Sequence, residues 1–254
     1  MGTVLAETFR LLAGHLHLFT LISLTVWLPG HVLLNYFRFF DPSGESVVHT
    51  LQAGWLIQTV FDPLVVAATL VALARIKHGL PVDYVAAIRE GAGAWGRLLA
   101  VRFVVNVALW LPGLAWVAVN RAGHGTAVVA GVLLAALTVA ILIVLIRCAV
   151  VDAVVVLGGG NVLTAWSRAA ALTAGQRWPI LWAAAAVFAL LVGGVLLATL
   201  VFRLVPALNH FVVRVLVDCA LAVSQSLVTI VLFLFYWRAT VAAAAPEPAS
   251  APAV

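Results

Sequence analysis

The stretch Gly160-Asn161-Val162-Leu163-Thr164-Ala165-Trp166-Ser167-Arg168-Ala169-Ala170-Ala171-Leu172-Thr173-Ala174-Gly175-Gln176-Arg177-Trp178-Pro179 is too polar to cross a membrane, yet it lies between two segments apolar enough to do so. Asn161 is a good N-cap, Gly160 and Gly175 bracket the run, and Pro179 is placed to open the next helix. Leu163, Trp166 and Ala170 fall on one helical face, with Thr164, Ser167 and Arg168 elsewhere on the wheel. The pattern predicts a short amphipathic helix lying in an interface, an elbow that feeds a spanning helix.

The composition agrees. Of 254 residues, 65% are hydrophobic and only 9% are charged, and the mean hydropathy is +1.18. A soluble domain of this length has too little interior to hide that much apolar surface. Lipid is the alternative solvent, and only helices or closed barrels span it. The apolar runs are continuous rather than alternating, which selects helices. The net charge is +5. The few Arg and Lys sit between apolar runs, so they read as topology signals and contacts to anionic lipid rather than a nucleic-acid face. Cys148 and Cys219 lie inside apolar runs with neither metal-ligand spacing nor a disulfide framework. No cleavable signal peptide is expected at the N-terminus.

Two further elbows are expected. In residues 3–17, Leu5, Phe9, Leu12 and Leu16 form one stripe, and Glu7, Arg10, Gly14 and His17 the opposite one. In residues 81–96, Val85, Ile88, Ala92 and Trp95 share a face while Asp83 and Glu90 point away. Between and after the elbows come six apolar segments, at about 18–37, 53–74, 98–119, 126–157, 179–202 and 214–237. Roughly twenty residues cross a hydrocarbon core of about 30 Å. Pro29-Gly30, Asp62-Pro63 and Pro112-Gly113 are expected to interrupt the first three. The fourth is too long for a perpendicular span and must tilt or project. Asp41-Pro42-Ser43-Gly44 reads as a turn, residues 120–125 as a short loop, and residues 238–254 as a disordered Ala/Pro-rich tail.

Arg10, Arg75, Lys77, Arg89, Arg97, Arg168, Arg177 and Arg238 flank one side of these segments, and Arg38, Arg121, Arg203 and Arg214 the other. The positive-inside rule then puts both termini and all three elbows in the cytoplasm. The expected location is a bacterial inner membrane.

An internal repeat organises the whole. Arg10, Arg89 and Arg168 follow one another at intervals of 79 residues, each in an elbow. Trp27-Leu28-Pro29-Gly30 recurs as Trp110-Leu111-Pro112-Gly113, and Gly193-Gly194 stands where a third copy falls. Arg38, Arg121 and Arg203 close the first span of each unit, at intervals of 83 and 82. The expected fold is an all-α polytopic membrane bundle. It has six transmembrane helices in three repeats, each an elbow helix plus a transmembrane hairpin. The expected single membrane domain covers residues 1–237, with units at about 1–79, 80–158 and 159–237.

The same features carry a family likeness. The carriers are Phe9-Arg10-Leu11-Leu12, the exit from Arg75 to Gly79, Val151-Asp152-Ala153-Val154-Val155-Val156-Leu157-Gly158-Gly159, Ala165-Trp166-Ser167-Arg168-Ala169 and Gly175-Gln176-Arg177-Trp178. Through them, residues 1 to about 237 resemble the bacterial membrane domain found fused to some glycerophosphodiester phosphodiesterases, and its stand-alone relatives of undefined function. Relatives have an acidic-Gly turn where this chain has Gly158-Gly159-Gly160. The resemblance implies the membrane fold only. No stretch here reads as a soluble domain able to hold metal carboxylates, so the enzymatic label does not carry over.

Ionisable groups inside spans are costly and are the first candidates for function. Asp62, with Gln58 one turn before it, reads either as a proton or cation site or as a carboxyl that ties helices together. Ser224, Gln225, Ser226 and Thr229 make the middle of the last span polar, as helix glue or as the lining of a cavity shared with Asp62. Arg102 and Asp152 are placed to form an ion pair; alternatively Arg102 and Arg147 form a basic pocket for a lipid phosphate. Arg214 and Asp218, spaced i, i+4, are expected to pair. The histidines lack metal-ligand spacing, and no G-x-S-x-G or P-loop is present.

The expectation is a non-enzymatic inner-membrane protein without metal or cofactor. Its role would lie in lipid or envelope organisation, or in scaffolding a membrane-protein partner. Its expected partners are membrane lipids, anionic ones among them, and not nucleic acid. The alternative is a transporter or channel using Gln58, Asp62, Ser224 and Gln225.

Overall fold

The computed structural model describes residues 2–41, 46–122 and 127–244, without the side chains of 109–130, 133 and 244. Among the described residues ten α-helices run in chain order: α1 (Gly2–Gly14), α2 (Leu16–Phe40), α3 (Ser46–Leu56), α4 (Asp62–Lys77), α5 (Tyr84–Ala122), α6 (Ala127–Arg147), α7 (Val151–Leu157), α8 (Val162–Leu172), α9 (Arg177–Leu204) and α10 (Phe211–Ala244). A π-helical turn, Ile57–Phe61, joins α3 to α4 without a loop. No strand occurs among the described residues. Among the described residues five helical stretches are long and apolar enough to cross a membrane: Leu16–Phe40, Ser46–Lys77, Leu134–Leu157, Arg177–Leu204 and Phe211–Ala243. The chain is a multi-pass helical membrane protein. The segment expected at 98–119 lies in α5, and its side chains from 109 on, Trp110, Pro112 and Arg121 included, fall outside the described residues, as do residues 42–45, 123–126 and 245–254.

Helix α4 is the axis. Val65 to Leu73 are buried without a break, and α4 packs on α2, α5, α7 and α10. Small residues make this possible. A Cβ added to Gly91 of α5 would stand 2.7 Å from the backbone nitrogen of Ala68, so the two helix backbones are already in contact. Around this pair the core gathers Phe19, Leu98, Val101, Val150, Val154, Val155, Ile230, Phe233 and Leu234.

The elbow of residues 161–172 forms as α8. The Asn161 side chain accepts the Leu163 N–H at 3.4 Å, and Gly159 at φ +64° and Gly175 at φ +79° turn the chain at either end. The first elbow forms as α1, separated from α2 by a turn at His15. Glu7 of α1 accepts from Lys77 Nζ at the end of α4 and from Arg238 Nη2 of α10 at 2.7 Å. The N-terminal elbow and the ends of α4 and α10 are thereby tied at one place.

The second elbow does not form as a separate helix. Residues 84–96 run straight on into α5. Nothing breaks the helix there: Gly91, Gly93 and Gly96 keep ordinary φ, and the contact on Ala68 holds Gly91 in the helix. Pro29 likewise stays inside a continuous α2, and α9 runs unbroken through Gly193-Gly194. The long fourth segment breaks after Arg147, with a turn at 148–150 before α7.

Both irregular turns are closed by side chains from elsewhere. Pro63 has no N–H for the preceding turn, and the chain widens into the π turn, where Asp62 N–H bonds to Ile57 O. The Trp95 indole N–H donates to Val60 O at 2.7 Å. Trp95 thereby ties α5 to the turn that precedes α4. At the second break Val151 N–H bonds to Cys148 O instead of Arg147 O. The Thr173 hydroxyl, buried beyond the end of α8, donates to Arg147 O at 2.6 Å.

Gly91→Ala drives a methyl into the α4 backbone and is expected to destabilise by about 1–3 kcal/mol. Gly93→Ala meets nothing within 4 Å and is expected to be neutral or up to about 1 kcal/mol stabilising. Thermal unfolding of the two variants in one detergent separates these outcomes. Burial alone raises the Glu7 carboxyl's affinity for protons, but Lys77 and Arg238 outweigh it and hold its pKa below the ordinary 4.5. The tie is then fully present above pH about 4.5 and lost as pH falls through the lower folded value. Amides of α1 are expected to exchange faster in acid by an amount worth about 1 kcal/mol or less, and Glu7→Gln is expected to abolish that pH dependence.

Candidate functional site

Six polar side chains from three helices line one cavity of about 440 Å³. Helix α4 supplies Asp62 and Thr69, α5 supplies Arg102, and α10 supplies Gln225, Ser226 and Thr229. Trp27 of α2 closes one end, 5% exposed and stacked on His31 at 5.2 Å. The facing wall is α9, and it is wholly apolar: Phe188, Leu191, Val192, Val195 and Leu196. Helix α9 buries only 11% of its most apolar window. Phe188 and Leu196 stay exposed even though they line the cavity, so it opens along α9 to the surroundings of the bundle.

The charges are arranged in a row. Arg102 Nη2 donates to Asp152 Oδ2 at 2.5 Å, and Asp62 interacts with the same guanidinium from the cavity side. The Trp27 indole faces the Asp62 carboxyl. Two carboxylates and one guanidinium leave the ionised cluster one negative charge in excess. The Nε of Arg102 is buried without a hydrogen-bond partner, which leaves a donor for an incoming acceptor. Ser23 Oγ and Ser226 Oγ, 3.2 Å apart, tie α2 to α10 beneath this wall.

Of the four polar residues grouped in sequence, the structure brings two together. Asp62 and Gln225 line the cavity; Gln58 and Ser224 do not. Gln58 is exposed, because the π turn stacks Asp62 on Ile57, five residues back, rather than on Gln58. Ser224 turns back on its own helix and donates to Ala220 O at 2.9 Å. Arg102 and Arg147 do not share a pocket. The break after Arg147 swings Asp152 of α7 toward Arg102 and leaves Arg147 in a separate groove with Arg177 and Trp178. Arg214 Nε lies 3.7 Å from Asp218 Oδ1, and Asp218 also accepts from buried Asn35 of α2 at 3.0 Å.

Sequence reasoning missed Trp27 and Thr69 as lining residues. Trp27 stood in a repeated motif and was the more legible of the two; Thr69 lies within an unbroken apolar run with nothing to mark its direction.

The site therefore belongs to a multi-pass helical membrane protein with an amphipathic cavity in its interior. No family model, no curated protein and no solved structure matches the chain.

Removing one partner of the Arg102–Asp152 pair strands the other charge. Asp152→Asn is expected to destabilise by roughly 3–5 kcal/mol. Arg102→Met with Asp152→Leu, which removes both, is expected to recover most of that loss. A double-mutant cycle on unfolding midpoints measures it.

Proposed function

We propose that this protein binds an amphipathic, positively charged small molecule in the cavity between α9 and the α4–α5–α10 wall, in the manner of a membrane carrier rather than an enzyme. One observation carries the reading. A cluster of Asp62, Arg102 and Asp152, two carboxyl groups to one guanidinium, faces a bare apolar helix across a cavity that opens sideways. A cation gains from Asp62, and a hydrocarbon tail gains from Phe188, Leu191 and Leu196. The volume of about 440 Å³ is within the range of small-molecule sites. An anionic headgroup is disfavoured here because Asp152 already neutralises Arg102.

The membrane setting belongs to the same proposal. Counting α5 as a span gives six, with approximate threefold repetition of hairpins and an inner-membrane location. The tie of Glu7 to both Lys77 and Arg238, and the contact of Arg75 with Glu90 at 3.3 Å, support both ends of the chain lying on one side. The excess of Arg and Lys there supports the cytoplasmic side. We regard the resemblance to the phosphodiesterase-linked membrane domains as compatible with a carrier role.

The test uses the protein in nanodiscs and radiolabelled dodecyltrimethylammonium, with dodecyl sulfate and dodecyl maltoside as competitors. The cation is expected to bind saturably and to resist both competitors. Asp62→Asn is expected to weaken it at least about tenfold, equivalent to about 1.4 kcal/mol. Equal competition by dodecyl sulfate, or unchanged affinity in Asp62→Asn, would overturn the reading.

A further inference from the structure

A second groove, of about 250 Å³, runs between the end of α6 and the start of α9. Ile143, Ile146 and Leu181 form its apolar part, and Arg147, Arg177 and Trp178 its polar rim. No carboxylate among the described residues lines it. Neither arginine forms an ion pair among the described residues, in contrast to Arg75, Arg102, Arg214 and Arg238.

We infer that this groove holds the phosphate of an anionic phospholipid from the leaflet on the basic side of the protein, with Arg147 and Arg177 as its cationic ligands. Four independent observations carry this assignment. The juxtaposition is built: the hydrogen bond from Thr173 to Arg147 O fixes the end of α6 against the chain four residues before α9 begins. Two unneutralised guanidinium groups at one groove attract a phosphate, and Arg presents it with bidentate donors. Helix α9 starts there without a side-chain cap on Gln176, so the N–H groups of Arg177 and Trp178, ahead of Pro179, and the positive end of its dipole add to the same field. Trp178 and Trp182, one helical turn apart, are 69% and 58% exposed, as aromatic anchors at a headgroup region are.

The apolar part of the groove continues onto uncovered helix surface. Leu142, Ile143 and Val139 of α6 and Trp182 of α9 are exposed beside it, giving acyl chains a track away from the headgroup. A free phosphate ion would use the arginines and none of this apolar surface. The lipid uses both, and so does an occupant that joins α6 to α9, two helices whose direct contact is slight. The cavity around Asp62 favours a cation, whereas this groove favours an anion, and the two sites lie at different heights along α9, one at residues 188–196 and the other at 177–181.

The experiment is native mass spectrometry of the full chain, delipidated in detergent and titrated with phosphatidylglycerol, phosphatidylcholine or inorganic phosphate. Phosphatidylglycerol is expected to be retained at least about tenfold better than phosphatidylcholine. Arg147→Gln with Arg177→Gln is expected to remove that preference, Arg147→Lys with Arg177→Lys to keep most of it, and Arg203→Gln on the opposite side to leave it unchanged. Equal retention of the two lipids, or an unchanged preference in the double glutamine variant, would overturn the assignment. Displacement of the lipid by millimolar inorganic phosphate would overturn it in favour of a free-phosphate site. Should the glutamine variant fail to fold, equal retention of the two lipids by the wild type still decides the question.

Discussion

A carbonyl left without a partner in apolar surroundings costs several kcal/mol, and this constraint organises the bundle. The chain departs from α-helical bonding inside two of its spans, and at each place a side chain from another element closes the gap. Trp95 closes the π turn before Asp62, and Thr173 closes the break after Arg147. Each closure also sets the position of something else. The first holds α5 along α4, so that Gly91 lies on Ala68. The second brings the start of α9 to the end of α6. The irregular turns act as joints that orient the neighbouring helices.

The charged cluster follows from these joints. The π turn rotates Asp62 into the interior, and the break at 148–150 sends Asp152 toward Arg102. Three ionisable groups that would each be costly alone are compensated in part by one another. The compensation is incomplete, because two carboxylates share one guanidinium and Arg102 Nε has no partner. Such a remainder, at the edge of a cavity walled on its far side by an apolar helix, is where a ligand has most to contribute. The loosely held α9 adds the other requirement, access.

Arg147 and Asp152 show how close in sequence different roles can lie. Arg147 stands five positions before Asp152, yet one faces an open groove and the other a paired guanidinium. Grouping Arg147 with Arg102 was reasonable for a continuous helix. The turn between them invalidates it, and that turn has no proline or glycine to announce it: Cys148, Ala149 and Val150 are all compatible with a helix.

What the sequence determined by itself was the class and the local elements. Apolar runs of spanning length, cut by short amphipathic stretches, leave helices in lipid as the solution. Asn161 and Gly175 were enough to bracket α8, because caps and left-handed turns are local matters, although the turn before it falls on Gly159 rather than on Gly160. The ion pairs of Arg102 with Asp152 and Arg214 with Asp218 were legible because few charges were available and each needed a partner. The tertiary structure decided which face each polar residue presents. A single extra residue in the π turn put Gln58 outside the cavity while Asp62 lined it, and close contact with α4 drew the expected second elbow into α5. Facing depends on helical phase, and phase changes wherever a distant side chain such as Trp95 or Thr173 makes an irregular turn affordable.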